Sequence, residues 1–215
     1  MSKKNPKQTV ENIIAISTGL FVEKGYDKTS MQDIVDALGM SKGAIFHHFK
    51  SKEDILDAVI SRHSKESMAM VRQWICEMEG LCAKEKISAL FERVLTDPQL
   101  NLLNKALGSQ ALSPHMIVAG MQENVNIAAP MLAKLFREGV GDGSIATQFP
   151  DECAQVFFLL FGIWCDHVLF ACDAQGLCKR ILFLQQLMQQ MGADIISDKL
   201  VGQCMQYIED YYKEA

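Results

Sequence analysis

The sequence has no uncharged apolar run of the roughly 18 residues that a membrane span requires. Its most apolar stretch, CAQVFFLLFGIWCDHVLFAC at residues 153–172, is broken by Asp166 and His167 and is expected to be a buried helix. No segment sustains the alternation of a half-buried strand, which excludes a sheet protein. H-E-x-x-H, a phosphate-binding loop and a nucleophile elbow are all missing, so catalysis has no candidate residue. The glycines of GVGDG, residues 139–143, follow no strand and do not make such a loop. The seven cysteines are odd in number and contain no C-x-x-C, so they suit free thiols in a reducing cytoplasm rather than a disulfide framework. The first dozen residues, MSKKNPKQTVEN, are polar and do not read as a secretory signal. Repeats, low-complexity tracts and flexible linkers are absent as well.

Arginine is missing from residues 1–52, which carry eight lysines against five acids, a net +3. The remaining residues hold 13 basic and 21 acidic side chains, a net −8. A basic beginning on an acidic body points one end of the chain at a polyanion. With 215 residues, 49% of them apolar, the chain can bury a substantial core in one large or two small domains.

What is present is helical period almost everywhere. A first helix is expected over about 8–24, with Val10, Ile13, Ile14, Leu20 and Phe21 on its apolar side, ended by Gly25. Ser30 opens a second, with Asp33 completing a capping box, and Gly39 stops it. Ser41 caps a third that runs through about Phe49, and a longer helix extends from Ser51 to Gly80. Further helices are expected at about 83–96, 98–112, 116–140, 150–173, 177–191 and 198–213. Two short helices joined by the break GMS have the form of a helix-turn-helix, whose second member lies in the DNA major groove. In that second member, within SKGAIFHHFKSKE, Ile45 and Phe49 are expected to face the core. Lys42, Gly43, Phe46 and His47 are expected to face outward, and Gly43 leaves room for another backbone to approach.

The run LFVEKGYDKTSMQDIVDALGMSKGAIFHHFKSKEDIL resembles the DNA-binding domain of the TetR family of transcriptional regulators over residues 10–56. The matching landmarks are Leu20-Phe21, Gly25-Tyr26, Thr29-Ser30, Gly39, Ser41-Lys42-Gly43, Phe46, His48-Phe49 and Lys52-Glu53. The resemblance implies an all-α protein with a three-helix DNA-binding domain at 1–52 and a larger helical domain for ligand binding and dimerisation at 53–215. It implies double-stranded DNA as partner, touched by Thr29, Ser30, Ser41, Lys42, Gly43, Phe46, His47, His48 and Lys52. In this scheme Thr29 and Ser30 bond phosphate at the positive end of the second helix. Lys42 and Gly43 meet base edges; His48 and Lys52 hold phosphates. Two departures stand out. Ile16-Ser17 replaces a pair of small residues, and Phe46 replaces a tyrosine whose hydroxyl reaches phosphate.

The family's arrangement further implies a homodimer formed through the helices near 150–173 and 177–191. It also implies a small-molecule effector, whose pocket is expected among Met70, Trp74, Met78, Phe91, Met121 and Phe136. The segment 68–170 offers Met, Phe and Trp but few basic groups, so the effector is expected to be largely apolar. No cofactor is implied, and His47-His48 lacks the i, i+4 spacing of a helical metal pair. A different reading is a helical enzyme, or a metal- or thiol-sensing protein using Cys165, His167, Cys172 and Cys178, whose beginning only resembles the DNA module.

Overall fold

Ser30 is followed three residues later by Asp33, and the two exchange backbone bonds at the start of a helix. The Asp33 amide donates to Ser30 Oγ at 3.1 Å, and the Ser30 amide donates to Asp33 Oδ2 at 2.8 Å. Eight residues on, Gly39 ends the helix at φ +60°, a conformation that a side chain would strain. The computed structural model describes residues 6–98, 100, 114–166 and 169–214. In it, α1 (Pro6–Lys24), α2 (Met31–Leu38), α3 (Lys42–His48) and α4 (Lys52–Glu77) follow in the expected order. The described residues form no strand. The packing groups them into two compact units, the first holding the described residues up to Met70 with Pro98 and Leu100, and the second Val71–Asp97 with the described residues from Pro114 onward. Residues 52–70, most of α4, thus group with the first unit, whereas the resemblance implied a division after residue 52.

In the first unit α2 packs on α1 and α3. Ile13, Phe21, Ile34, Ile45, Ile55, Leu56 and Val59 are buried. Tyr26 sets its ring edge-on to Phe21, with centroids 5.2 Å apart. The Ile16-Ser17 departure resolves simply. Ile16 is turned outward, and Ser17 is fully buried with a hydroxyl that has no hydrogen-bond partner.

The second unit contains α5 (Ala83–Thr96), α6 (Pro114–Glu123), α7 (Ala129–Asp142), α8 (Pro150–Leu159), α9 (Ala174–Gln190) and α10 (Asp198–Glu214). A π-helical turn at Asn124–Ala128 joins α6 to α7, and a second, Leu160–Trp164, extends α8. Helix α7 packs on α5 and α8, and α10 on α5 and α9. Their shared core holds Ile87, Leu135, Phe136, Phe157, Leu184 and Met188.

The helix expected over 150–173 ends early. Asp166 diverts its backbone by accepting the Leu169 amide at 3.1 Å, and Asp173 caps α9 by accepting the Gly176 amide at 2.7 Å. Arg180 reaches back to the Trp164 and Phe170 carbonyls, at 2.7 and 2.8 Å, and satisfies acceptors that the helix would have used. Helix α9 therefore starts at Ala174 rather than 177, and Cys172 lies in the loop before it. The helix expected at 98–112 lies outside the described residues, apart from Pro98 and Leu100. No helix among the described residues is long and apolar enough to cross a membrane.

Candidate nucleic-acid interface

Helix α3 is only seven residues long and owes its start to Ser41, whose Oγ accepts the Ala44 amide at 3.3 Å. Ile45 and Phe49 anchor it in the core. That rotation leaves Lys42, Gly43 and His47 exposed, with Phe46 and His48 half-buried beside them. A Cβ built on Gly43 would meet nothing within 4 Å, so the fold itself does not require glycine there. The open space lies over the outward face, where a partner's backbone could approach. The Lys42 ammonium stands 5.7 Å from the Phe46 ring centre, and the His47 and His48 rings meet edge to face at 5.1 Å. Lys50 donates to the Phe46 carbonyl at 2.9 Å and places an exposed cation at the C-terminal end of α3. The sequence reading assigned it no role, although it stands inside the quoted stretch.

Ser30 is exposed at the start of α2, next to Asp33. Asp33 accepts from the Ser30 hydroxyl, the Ser30 amide and, at 3.0 Å, the Lys24 ammonium, which hold its carboxyl well below the usual carboxylate range. The positive end of α2 is thus already faced by one carboxylate, with Lys24 offsetting it.

Two expected contact residues point elsewhere. Thr29 is buried, and its hydroxyl donates to the Gly25 carbonyl at 2.8 Å while its amide donates to Tyr26 O at 3.1 Å. Neither group is left for a phosphate. Lys52 is half-buried; its ammonium donates to the Tyr26 carbonyl at 2.9 Å and sits 4.0 Å from the centre of the Tyr26 ring. Tyr26 in turn donates to Glu53 Oε1 at 3.4 Å. Burial and the Glu53 charge push the Tyr26 phenol up to about 12. The Glu53 carboxyl is lowered by its own backbone amide, by Ser51 and by Tyr26. Lys52, Tyr26 and Glu53 therefore clamp the start of α4 to the turn after α1.

In the second unit, a cavity of about 30 Å³ is lined by residues that include Phe91, Phe157, Phe161, Leu184, Leu200 and Cys204. Of the six residues expected to form a pocket, Phe91 is at this cavity. Phe136 is fully buried in the core, and Trp74 is buried under the Arg93 guanidinium, 4.3 Å from the ring centre. Met70, Met78 and Met121 are half-buried and do not line the cavity. All seven cysteines are free thiols, and no three His, Cys, Asp or Glu side chains among the described residues are grouped to hold a metal ion.

Residues 13–59 match the family model described as bacterial regulatory proteins, tetR family. The chain is 24% identical over 196 residues to the HTH-type transcriptional regulator UidR of Escherichia coli K12, covering 86% of this chain and 91% of that protein. Over 51 residues, 24% of this chain and 27% of the other, it is 49% identical to the HTH-type transcriptional repressor Rv1474c of Mycobacterium tuberculosis. Its fold is that of a TetR-family regulator structure from Mesorhizobium loti. The TM-score is 0.62 at 21% identity, over 88% of this chain and all of the other.

Proposed function

We propose that this chain, a TetR-family transcriptional regulator by the DNA-binding domain at residues 13–59, binds a palindromic operator as a homodimer and represses until a small apolar ligand releases it. The observation that carries the reading is the outward face of α3. Lys42, Gly43 and His47 are exposed together on a short helix whose opposite side is locked into the core, and Gly43 faces open space. Lys42 would donate to guanine acceptors in the major groove. Ser41 and His48 supply hydrogen-bonding groups to the flanking backbone, joined by Lys50, whereas the hydroxyl and amide of Ser30 are both held by Asp33. Phe46 gives apolar contact to the sugar edge without the hydroxyl bond of a tyrosine.

Dimerisation through α8 and α9 is supported by apolar side chains left exposed on both, among them Val156, Leu182 and Phe183. A two-fold dimer matches operator half-sites of fixed spacing. Ligand release would then act on that spacing. A ligand that binds more tightly to an arrangement with the two α3 helices off register weakens both half-site contacts at once, and couplings of about 1–3 kcal/mol lower affinity roughly 5–150-fold.

Selecting bound DNA from a random pool tests the reading. Recovered sites should be inverted repeats with half-sites about one helical turn apart, and a pool without enriched sequence, or with single unrepeated sites, defeats it.

A further inference from the structure

We propose that the cavity of the second unit is a binding site for a neutral, hydrocarbon-like molecule with a single ring or a short alkyl chain. Naming that molecule the effector rests on the function proposed above; its binding does not.

The lining excludes other chemistries. Three phenylalanines, Phe91, Phe157 and Phe161, form one wall, and aliphatic side chains such as Leu184 and Leu200 form the rest. The one side-chain heteroatom is the Cys204 sulfur, whose thiol burial pushes up to about 11, so it stays neutral near pH 7. A carboxylate or ammonium entering this space would shed its water and find no partner. An apolar molecule loses nothing comparable.

The wall also has a shape. Phe157 and Phe161 lie nearly parallel, at 9° with centroids 5.4 Å apart, and Phe91 tilts against Phe157 at 4.9 Å. These separations are those of offset aromatic pairs, and a further ring can join them in the same way. Leu184 and Phe157 are buried and fix the floor. Phe91 and Phe161 are half-buried and mark the side open to solvent.

At about 30 Å³ the space is smaller than a ring, so a ligand must displace part of the wall. Phe161 stands in the half-buried part of that wall and is carried by the π-helical turn Leu160–Trp164. Such turns interrupt the regular ladder and recur at functional sites. Gly162 in the same turn packs against Asn124 of the other π-helical turn, whose Nδ2 stands 2.9 Å from where a Cβ would be. Two interrupted helices therefore meet beside the wall that has to yield.

The test is methyl-resolved NMR and thermal melting of the full chain with benzene, and with benzoate and benzylammonium as charged analogues. Benzene should saturate, shift the methyls of Ile181, Leu184 and Leu200, and raise the melting midpoint. At one hundred times its dissociation constant it multiplies the folded-to-unfolded ratio about 100-fold. Both charged rings should leave these methyls unmoved. Leu200→Phe, which fills the space, should abolish the benzene shifts; Cys204→Met reads the same point if that variant does not fold. Equal binding of benzoate, shifts confined to other methyls, or no saturable shift overturns the site. Operator affinity measured in parallel separates the two readings. Benzene bound in the cavity with operator affinity unchanged counts against release by this ligand and leaves the site standing, whereas release by compounds that never touch these methyls does the reverse.

Discussion

Lys42 and Lys52 look equivalent in the sequence, two lysines flanking the same short helix, and the structure separates them. Lys42 has an exposed ammonium and should read bases. Lys42→Ala is expected to relax preference at particular base pairs, at about 1–3 kcal/mol of discrimination, in a selection from random DNA. Lys52 is bonded to the Tyr26 carbonyl and covers its ring, so Lys52→Ala should lower the melting temperature of the free protein. A variant that melted normally and lost only about 0.9 from the log–log salt slope would instead restore Lys52 as a phosphate contact. Phe46→Tyr should keep or tighten operator affinity, because Phe46 is half-exposed beside Lys42 and the added hydroxyl would gain a net bond of about 0.5–1.5 kcal/mol. Loss of stability in the free protein would put Phe46 on the wrong side of α3. Thr29 shows why residue roles are harder to read than residue positions. Its place in the motif was plain, but the direction of its hydroxyl depends on the Gly25 carbonyl beneath it, which one-dimensional spacing does not reveal.

At the scale of elements, the sequence was most informative where a helix end is a local event. Ser30 with Asp33 and Ser41 start α2 and α3 within one turn of their own backbone, and Gly39 stops α2 through its own φ, so each boundary was legible. Gly39→Ala should accordingly cost about 1–2 kcal/mol in denaturant melts. The end of α8 was not legible, because it depends on Arg180 returning from α9 to carbonyls at 164 and 170. The π-helical turns are of the same kind, with packing around Gly162 and Asn124 rather than a composition signal beside them. The clamp between α4 and the turn after α1 carries a pH prediction. Because the Tyr26 phenol is raised from 10.0 to about 12, its protonated form is favoured in the folded state. That contribution is fully present below pH 10 and is lost as pH rises through the folded value near 12. Tyr26→Phe should flatten the alkaline limb of a stability–pH curve over that window. An unchanged limb would mean that Tyr26 titrates as it does in the unfolded chain.

At the scale of the whole molecule, the proposed dimer rests on apolar side chains that α8 and α9 leave exposed. The charge division was readable from composition, and so was the apolar character of 153–172, but which side of that segment stays uncovered was not, because its helix ends sooner than its hydropathy does. Val156 on α8 is 41% exposed and Leu182 on α9 is 40% exposed, apolar side chains on the two helices assigned to the interface. Because both already meet water in the single chain, Val156→Glu and Leu182→Glu should fold with the same helical circular dichroism. Facing its own copy across a two-fold, each glutamate would be desolvated against an apolar surface, and the dimer should give way to monomer in sedimentation. Operator binding follows from that loss. Two half-sites joined in one dimer act at a high effective concentration, so the monomer should bind the full operator about 10²–10⁴-fold more weakly. Its affinity for an isolated half-site should match that of the unaltered chain, since α3 is untouched. A Leu182→Glu protein that still sediments as a dimer and binds the operator normally would place the interface on another face and leave the reading of α3 intact.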